Sequence, residues 1–207
     1  MKRFITVCCA ALTALCCTAC AGGSSGGTES SVESSTESSQ QAEKKTDGLN
    51  VVSSEDMDPV YTELLRTYFE AISHKDYEAY KKVIYPPYLE SYDKYLQGNG
   101  TNAEKSFYED LCTRFDEDGY DSWELTELQI EYYPEERQDP DGFFAAYAKA
   151  GIIDDDFGER CKKDASELKD VVFTLYALYA GDEEDVPIVT KQEIYVLKNA
   201  DGAFMFG

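Results

Sequence analysis

The sequence predicts an α+β domain in residues 55–207, with helices first and an antiparallel sheet after them. Up to residue 115, apolar side chains recur at the three- and four-residue spacing of helices. After "DEDG", residues 116–119, apolar and polar side chains alternate as they do in half-buried strands. A block of helices followed by strands favours segregated α+β architecture over one in which helices and strands alternate.

Two helices are predicted at the start of this domain. The first lies in "DPVYTELLRTYFEAIS", where Asp58 is a candidate cap and Pro59 occupies the first turn, in which its missing N–H costs least. The second begins at Asp76 and is broken by Pro86 and Pro87. The apolar face of the first helix is formed by Val60, Leu64, Leu65, Tyr68, Phe69 and Ile72.

A third helix is indicated by Thr101 and Glu104, which have the spacing of a capping box. Later in the chain, "DPDGFFAAYAKAG" returns to helical character and ends at Gly151, a candidate C-terminal cap. A short helical turn is predicted in "DDFGERCKK". The apolar face of the third helix is formed by Phe107, Leu111, Cys112 and Phe115.

The strands of the predicted sheet are separated by turn residues. The alternation in "WELTELQIEY" slips by one residue near Thr126 and Glu127, which predicts a β-bulge. The run "DVVFTLYALYA" is apolar on both faces and is therefore predicted to be a central strand. The acidic loop "GDEED" joins it to "VPIVTKQEIYVLK", and the turn "NADG" leads to a last strand in "AFMFG".

Two of these stretches carry a resemblance to a known family. "LLRTYFEAISHKDYEAYKKVIYPPYL" resembles the opening helices of the NTF2-like family, and "VPIVTKQEIYVLKNADGAFMFG" resembles its closing hairpin. The similarity covers most of residues 58–207 and implies a conical fold, in which a long N-terminal helix packs across a bent antiparallel sheet. It also implies a possible homodimer, formed through the open sheet face.

The N-terminus has the pattern of an export signal. Lys2 and Arg3 precede an uncharged apolar run from Phe4 to Cys17, which is shorter than the ~20 residues of a membrane span. Five of the seven cysteines lie within or just after this run, so they cannot form a disulfide framework in an exported domain.

The end of that run resembles a bacterial lipobox, the motif in which a cysteine is acylated and becomes the new N-terminus. Thr18 and Ala19 match its small positions, and Cys17 stands where the motif usually has leucine. The resemblance implies a lipoprotein signal peptide in residues 1–19 and lipidation of Cys20, which would hold the protein on the extracytoplasmic face of the cell membrane. Ordinary secretion, with cleavage near Ala19 or Ala21, is the alternative.

Residues 20–54 are rich in Gly, Ser, Thr and Glu, and this composition predicts a flexible tether. Lipid-anchored domains on such tethers are typical of the cell envelope of Gram-positive bacteria.

The chain carries a net charge of −22, and loss of the signal with Lys2 and Arg3 would leave −24. So acidic a surface repels phosphate backbones, so a nucleic acid is not a predicted partner. The acyl group, and not a basic patch, would have to provide the membrane attachment.

The sequence predicts no catalytic residue, no metal site and no cofactor. Catalytic members of the NTF2-like family use a carboxylate with Tyr or His at the mouth of the cone, and no residue set here matches theirs. His74, the only histidine, lies in the polar stretch after the first helix and is interpreted as a solvated residue or helix-end cation. Cys112 and Cys161 could form a disulfide in an exported protein, or Cys112 could be a small core residue.

Two further groups of residues are candidates for sites, the acidic clusters and the tyrosines. The clusters raise the possibility of calcium, but "DEDGYDSWE" does not keep the EF-hand order, and solvated loops explain them without metal. Tyrosines crowd residues 77–95, either as half-buried core residues or as an interaction surface. The acidic clusters are Asp116, Glu117, Asp118, Asp121 and Glu124, then Asp154 to Asp156, then Asp182 to Asp185; the tyrosines are Tyr77, Tyr80, Tyr85, Tyr88, Tyr92 and Tyr95.

Three functions are compatible with these patterns. The favoured one is a non-catalytic binding module for an envelope partner protein or a small ligand, because the chain has an anchor and a tether but no catalytic set. The second is an isomerase- or hydrolase-type enzyme that works through an acid and Tyr pair in the cone. The third is a structural accessory of an envelope complex.

Overall fold

The computed structural model describes residues 48–206, in which six α-helices accompany a curled five-stranded sheet. The predicted α+β class is therefore confirmed. No helix within this range is both long and apolar enough to cross a bilayer. The helices are α1 Pro59–Ser73, α2 Tyr77–Val83, α3 Pro86–Gly98, α4 Ala103–Ser106, α5 Pro140–Lys149 and α6 Phe157–Asp164. The strands are β1 Asn50–Ser53, β2 Trp123–Tyr132, β3 Glu167–Tyr179, β4 Val186–Asn199 and β5 Gly202–Met205.

The five strands lie side by side in chain order, from β1 to β5. The pairs from β2 to β5 are antiparallel, whereas β1 pairs parallel to β2, with Asn50 opposite Glu127 and Ser53 opposite Ile130. A parallel pair needs a long crossover connection, and helices α1 to α4 provide it. β1 was not predicted, since it lies in the range that composition assigned to the tether, so the folded unit takes in residues before Glu55.

α1 packs across one face of the sheet, as its apolar spacing predicts. Asp58 caps it by accepting a hydrogen bond from the Val60 N–H at 2.9 Å. On the sheet, alternation along β3 turns Val171, Phe173 and Leu175 toward the helix. Phe69 of α1 meets Phe173 with ring centroids 5.1 Å apart. We call this side of the sheet the α1 face and the other side the outer face.

Two local details differ from the prediction. The prolines that end α2 also begin α3, because proline is favoured at the first position of a helix, and α3 was not predicted. The predicted capping box at Thr101 is wrong by one residue. The Thr101 N–H donates to the Leu96 carbonyl and closes α3, so Asn102 becomes the cap of α4 and accepts from the Lys105 N–H at 2.8 Å. α4 then continues into a π-helical turn, Phe107–Leu111.

The predicted strand features are confirmed. The register of β2 against β3 shifts between Leu125 and Glu127, which is the predicted bulge. β3 pairs with β2 on one side and β4 on the other, so it is central. Gly202 ends the tight turn into β5 with φ +146°, a conformation that favours glycine.

α5 covers part of the outer face, at the end of the sheet where β3 begins. Asp170 on β3 lies opposite Tyr195 on β4, and alternation places both on the outer face. The Phe143 ring of α5 lies on Tyr195, with centroids 4.6 Å apart. Phe206 extends this contact toward α3 by packing against Tyr88 at 5.7 Å. The outer face is thus partly core and partly open to solvent.

Candidate functional site

Two loops meet at the end of the sheet where β2 begins and β3 ends. The Ala180 N–H donates to the Ser122 carbonyl at 3.0 Å, which joins the loop after β3 to the loop before β2. The hydroxyl of Tyr179 donates to the Phe115 carbonyl, also at 3.0 Å. We call the surface formed by residues 115–124 and 180–186 the acidic–aromatic end.

Aromatic rings form the centre of this surface. Tyr120 is 39% exposed and lies against Tyr179, with ring centroids 4.8 Å apart. Trp123, the only tryptophan, is half-buried with its edge toward Phe115 at 5.6 Å. Its indole N–H donates to Asp116 at 2.8 Å, which fixes the ring. Two amphipathic rings are therefore held rigidly at the surface.

Carboxylates are concentrated in the two segments that form this surface. The segment before and into β2 supplies five, Asp116, Glu117, Asp118, Asp121 and Glu124, and the loop after β3 supplies four, Asp182, Glu183, Glu184 and Asp185. A hydrogen bond to Asp182 raises the pKa of the Tyr120 hydroxyl. Arg114, whose guanidinium lies 5.9 Å from the centre of the Phe115 ring, is the only basic residue near these loops in sequence. Such a surface attracts cations and repels anions.

The acidic clusters do not assemble into a metal site in the part of the chain that the structure describes. Within residues 48–206, no three His, Cys, Asp or Glu side chains are grouped so that they could hold a metal ion. In the cluster at 154–156, Arg160 forms salt bridges with Asp154 and Asp156. Asp185 accepts a hydrogen bond from Thr126 at 2.7 Å. These carboxylates are bound by protein groups or lie in solvent.

A second notable group is Asp170, which is only 1% exposed on the outer face of β3. A hydrogen bond joins its carboxyl to the Tyr195 hydroxyl, which in turn accepts the Asp139 N–H at 2.9 Å. Its other oxygen, Oδ1, has no hydrogen-bond partner among residues 48–206. Burial, together with the nearby charge of Glu193, raises the pKa of Asp170 to about 7. A buried carboxyl of this kind is a candidate for function.

On the α1 face, polar groups bind one another instead of facing an open site. The Tyr61 hydroxyl donates to Glu167 at 2.8 Å, and Lys198 forms a salt bridge with Asp58 at 2.8 Å. The hydrogen bond to Lys198 lowers the pKa of Asp58. Beyond them, the layer between α1 and the sheet is filled by buried side chains, including Leu65 at 0% and Phe173 at 6% exposure.

The residues singled out in the sequence have separate places. His74 is exposed and ends α1, as interpreted. Cys112 and Cys161 are free, buried thiols, so the disulfide that the sequence allowed is not formed. Both belong to the hydrophobic core, and burial raises the pKa of Cys161 to about 12 and that of Cys112 above its ordinary value. Cys20 lies outside the described residues.

The crowded tyrosines contribute mainly to the core. Tyr80, Tyr85 and Tyr88 are buried, and Tyr77, Tyr92 and Tyr95 are half-buried. The rings of Tyr88 and Tyr92 stack on each other, with an interplanar angle of 6° and a centroid distance of 5.9 Å. The interpretation of these tyrosines as core residues is therefore supported by their burial.

Comparison with known proteins identifies no relative: no family model, no curated protein and no solved structure matches the chain. Two candidate functional groups were not predicted from the sequence, namely Asp170 and the pair Tyr120 and Trp123. A charged residue directly before the apolar run "VVFTLYALY" was a usable signal for Asp170, because a strand covered on both faces leaves little water for a carboxylate.

Proposed function

We propose that this chain is a lipoprotein anchored through an acylated Cys20 to the extracytoplasmic face of the membrane. Its C-terminal domain is a non-catalytic binding module of NTF2-like fold. The long α1 across a curled antiparallel sheet, with a hairpin at the C-terminus, supports the fold. The apolar, uncharged run before Thr18, Ala19 and Cys20 supports the anchor.

The observation that carries the binding function is the acidic–aromatic end. Its Tyr120 is exposed and its Trp123 is half-buried. Each ring is hydrogen-bonded to one carboxylate, Tyr120 to Asp182 and Trp123 to Asp116, and further carboxylates lie in the same two segments. Aromatic faces attract cations, and Arg guanidinium groups stack on them most often. The partner that fits this chemistry is a Lys- or Arg-rich segment of an envelope protein. The filled layer beneath α1 further favours a surface function over a cavity function.

A short oligoarginine peptide is expected to bind the purified full-length protein and to change Trp123 fluorescence in a saturable way. Affinity should fall as salt is added, because exposed charges are screened. Replacing Tyr120 with serine should weaken binding by about tenfold, in line with the loss of a surface cation–π contact.

Tyr108 offers a matched control for this experiment, since it is 41% exposed but lies edge to face with Phe107, whose helical segment is separate from the acidic–aromatic end. Tyr108→Ser should bind the peptide as the wild type does. The proposal fails if fluorescence does not respond, or if the two tyrosine variants lose affinity equally. A neutral oligosaccharide and Ca²⁺ serve as comparison ligands, and tighter binding of either would replace the cationic peptide as the ligand class.

A fatty-acid probe supplied to a bacterial host that processes lipoproteins is expected to label the wild-type protein and direct it to the membrane fraction. Cys20→Ala should be unlabelled, because no other cysteine follows two small residues in this run. Cys16→Ala is the control and should keep the label. An unlabelled wild type, or equal labelling of Cys20→Ala, would contradict the anchor.

A second candidate function rests on Asp170 and Tyr195. A carboxyl with a raised pKa beside a tyrosine hydroxyl is the kind of pair that the isomerase- or hydrolase-type alternative requires. Asp170 is 1% exposed, so a substrate could reach it only after the covering segment moved. For this reason the binding module is the preferred proposal.

A further inference from the structure

We propose that residues 133–143, here called the strap, are a proton-controlled cover over Asp170 and Tyr195. The strap stays closed while the Asp170 carboxyl holds its proton, and it opens when that carboxyl ionises. This inference depends neither on Cys20 nor on the acidic–aromatic end.

Three contacts hold the strap to the sheet. At its start, the Tyr133 N–H donates to the Asp170 carbonyl at 3.0 Å, as the last contact between β2 and β3. In its middle, the Asp139 N–H donates to the Tyr195 hydroxyl oxygen at 2.9 Å. At its end, Phe143 covers the Tyr195 ring at 4.6 Å. Two of the three contacts are therefore made with Tyr195, the direct partner of Asp170.

The side chains of residues 134–138, the first part of the strap, give it little other support. Its 3-10 turn, Glu135–Arg137, has no buried residue. The Gln138 side chain donates to the Tyr133 carbonyl at 2.8 Å, a contact inside the strap itself. Glu135 forms a salt bridge with Lys169 at 2.9 Å, but the glutamate is largely exposed, and such pairs contribute little. The end of the strap belongs to α5, where Asp141 pairs with Lys162 and Phe143 packs against Phe206 at 5.5 Å as well as against Tyr195. The part that depends on the Asp139–Tyr195–Asp170 chain is therefore residues 134–139.

The closed state is compatible with a protonated Asp170 carboxyl but not with an ionised Asp170 carboxylate. Tyr195 accepts from Asp139, so its own proton is available to only one of the carboxyl oxygens, and Oδ1 is left without a partner among the described residues. No salt bridge reaches Asp170 within residues 48–206. A neutral carboxyl tolerates this environment, whereas an unpaired buried carboxylate is strongly disfavoured.

The charged groups around Asp170 add to the same effect. β4 contributes Glu193, which lies one pair along on the outer face, and Tyr195, whose pKa is itself raised by burial and by Asp170. From β2, Glu131 lies on the outer face opposite Val172. Within the strap, Glu135 is paired with Lys169 and Asp141 with Lys162. The remaining charged residues of the strap are Glu136, Arg137 and Asp139. Their balance is negative, so ionised Asp170 is repelled.

The direction of the pH dependence follows from the two states. With the strap open, Asp170 is solvated and its pKa returns toward about 4. With the strap closed, its pKa is about 7. Between these values only the open state has lost the proton, so each rise of one pH unit favours opening by about tenfold. Above the higher value both states are ionised, and the open fraction becomes constant.

Amide hydrogen exchange of the full-length protein, measured from pH 5 to pH 8 and divided by the intrinsic exchange rate at each pH, tests this directly. The protection of the Asp139 amide should fall about tenfold per unit up to pH 7 and then level off. Asp170→Asn, which cannot ionise, should remove this dependence. Glu136→Gln, which removes an exposed charge of the strap, should keep it.

Two outcomes would overturn the proposal: protection of Asp139 that does not change with pH in the wild type, or an unchanged dependence in Asp170→Asn. Should that variant fail to fold, carbon-13 NMR of the wild-type Asp170 carboxyl decides the matter. A titration midpoint near 7, the pH at which the loss of protection levels off, supports the strap. A midpoint near 4 refutes it.

Discussion

Phe173→Ala is expected to lower the free energy of unfolding by about 3 to 5 kcal/mol, the range for removing a buried aromatic side chain. Phe173 lies in the central strand β3, is 6% exposed and packs against Phe69 of α1 at 5.1 Å. The lost ring would leave a cavity between helix and sheet that neither element can fill, because β3 is held by strands on both sides. Equilibrium urea unfolding, followed by circular dichroism, measures the change.

Val52→Ala is the matched control for this experiment, because it also removes apolar atoms from a strand. Val52 is 47% exposed in the edge strand β1, so its replacement should change stability by no more than about 0.5 kcal/mol. A cost for Phe173→Ala below that of Val52→Ala would mean that α1 does not pack on this face of the sheet.

Gly158→Ala is expected to destabilise the protein by about 1 to 3 kcal/mol, as overpacking does. A methyl group there would come within 2.9 Å of the Phe144 Cβ. That atom is attached directly to the backbone of α5, so rotation of the Phe144 side chain cannot relieve the clash, and α5 and α6 must move apart. A loss of thermal stability measured by calorimetry checks the prediction.

Gly98→Ala is the control for that substitution. Gly98 is also a helical glycine, and no atom lies within 4 Å of the position that its Cβ would take. The same change in chemistry should therefore be neutral or stabilising by up to about 1 kcal/mol, as alanine is the better helix former. Equal losses in both variants would show that α5 and α6 are not in close contact at Gly158.

The fold could be predicted wherever the signal was local. The spacing of α1, its cap at Asp58 and the bulge in β2 are properties of short stretches, and all three were predicted. β1 could not be predicted in this way. It has only four residues, two of them valine, which is too short a run for an alternating pattern to be recognised. Its strand conformation comes from pairing with β2, in which the partner of Asn50 lies more than seventy residues later in the chain.

α3 was missed for a different reason. Two consecutive prolines, Pro86 and Pro87, were treated only as the end of a helix, although proline restricts its own backbone to a conformation that suits the first helical turn. Reading the following "YLESYDKYL" for helical spacing, with Tyr88 and Leu96 as its buried positions, would have identified the helix.

The candidate sites depend on contacts that no short stretch contains. The acidic clusters before β2 and after β3 were visible in the sequence, but their meeting around Tyr120 and Trp123 requires the pairing of the two strands. The environment of Asp170 likewise combines three segments, since Asp170 lies on β3, its partner Tyr195 lies on β4, and Asp139, which donates to Tyr195, lies in the strap. The even number of cysteines after residue 20 also could not reveal that Cys112 and Cys161 are free thiols.

The parallel pairing of β1 has a mechanical consequence. The chain enters the sheet at Asn50, opposite Glu127 and only a few residues from Trp123. A force that pulls on the chain before Asn50 would load the β1–β2 hydrogen bonds before those of the other strand pairs, because β1 is the edge strand and pairs only with β2. The outermost strand would therefore be the first part of the sheet to yield to such a force.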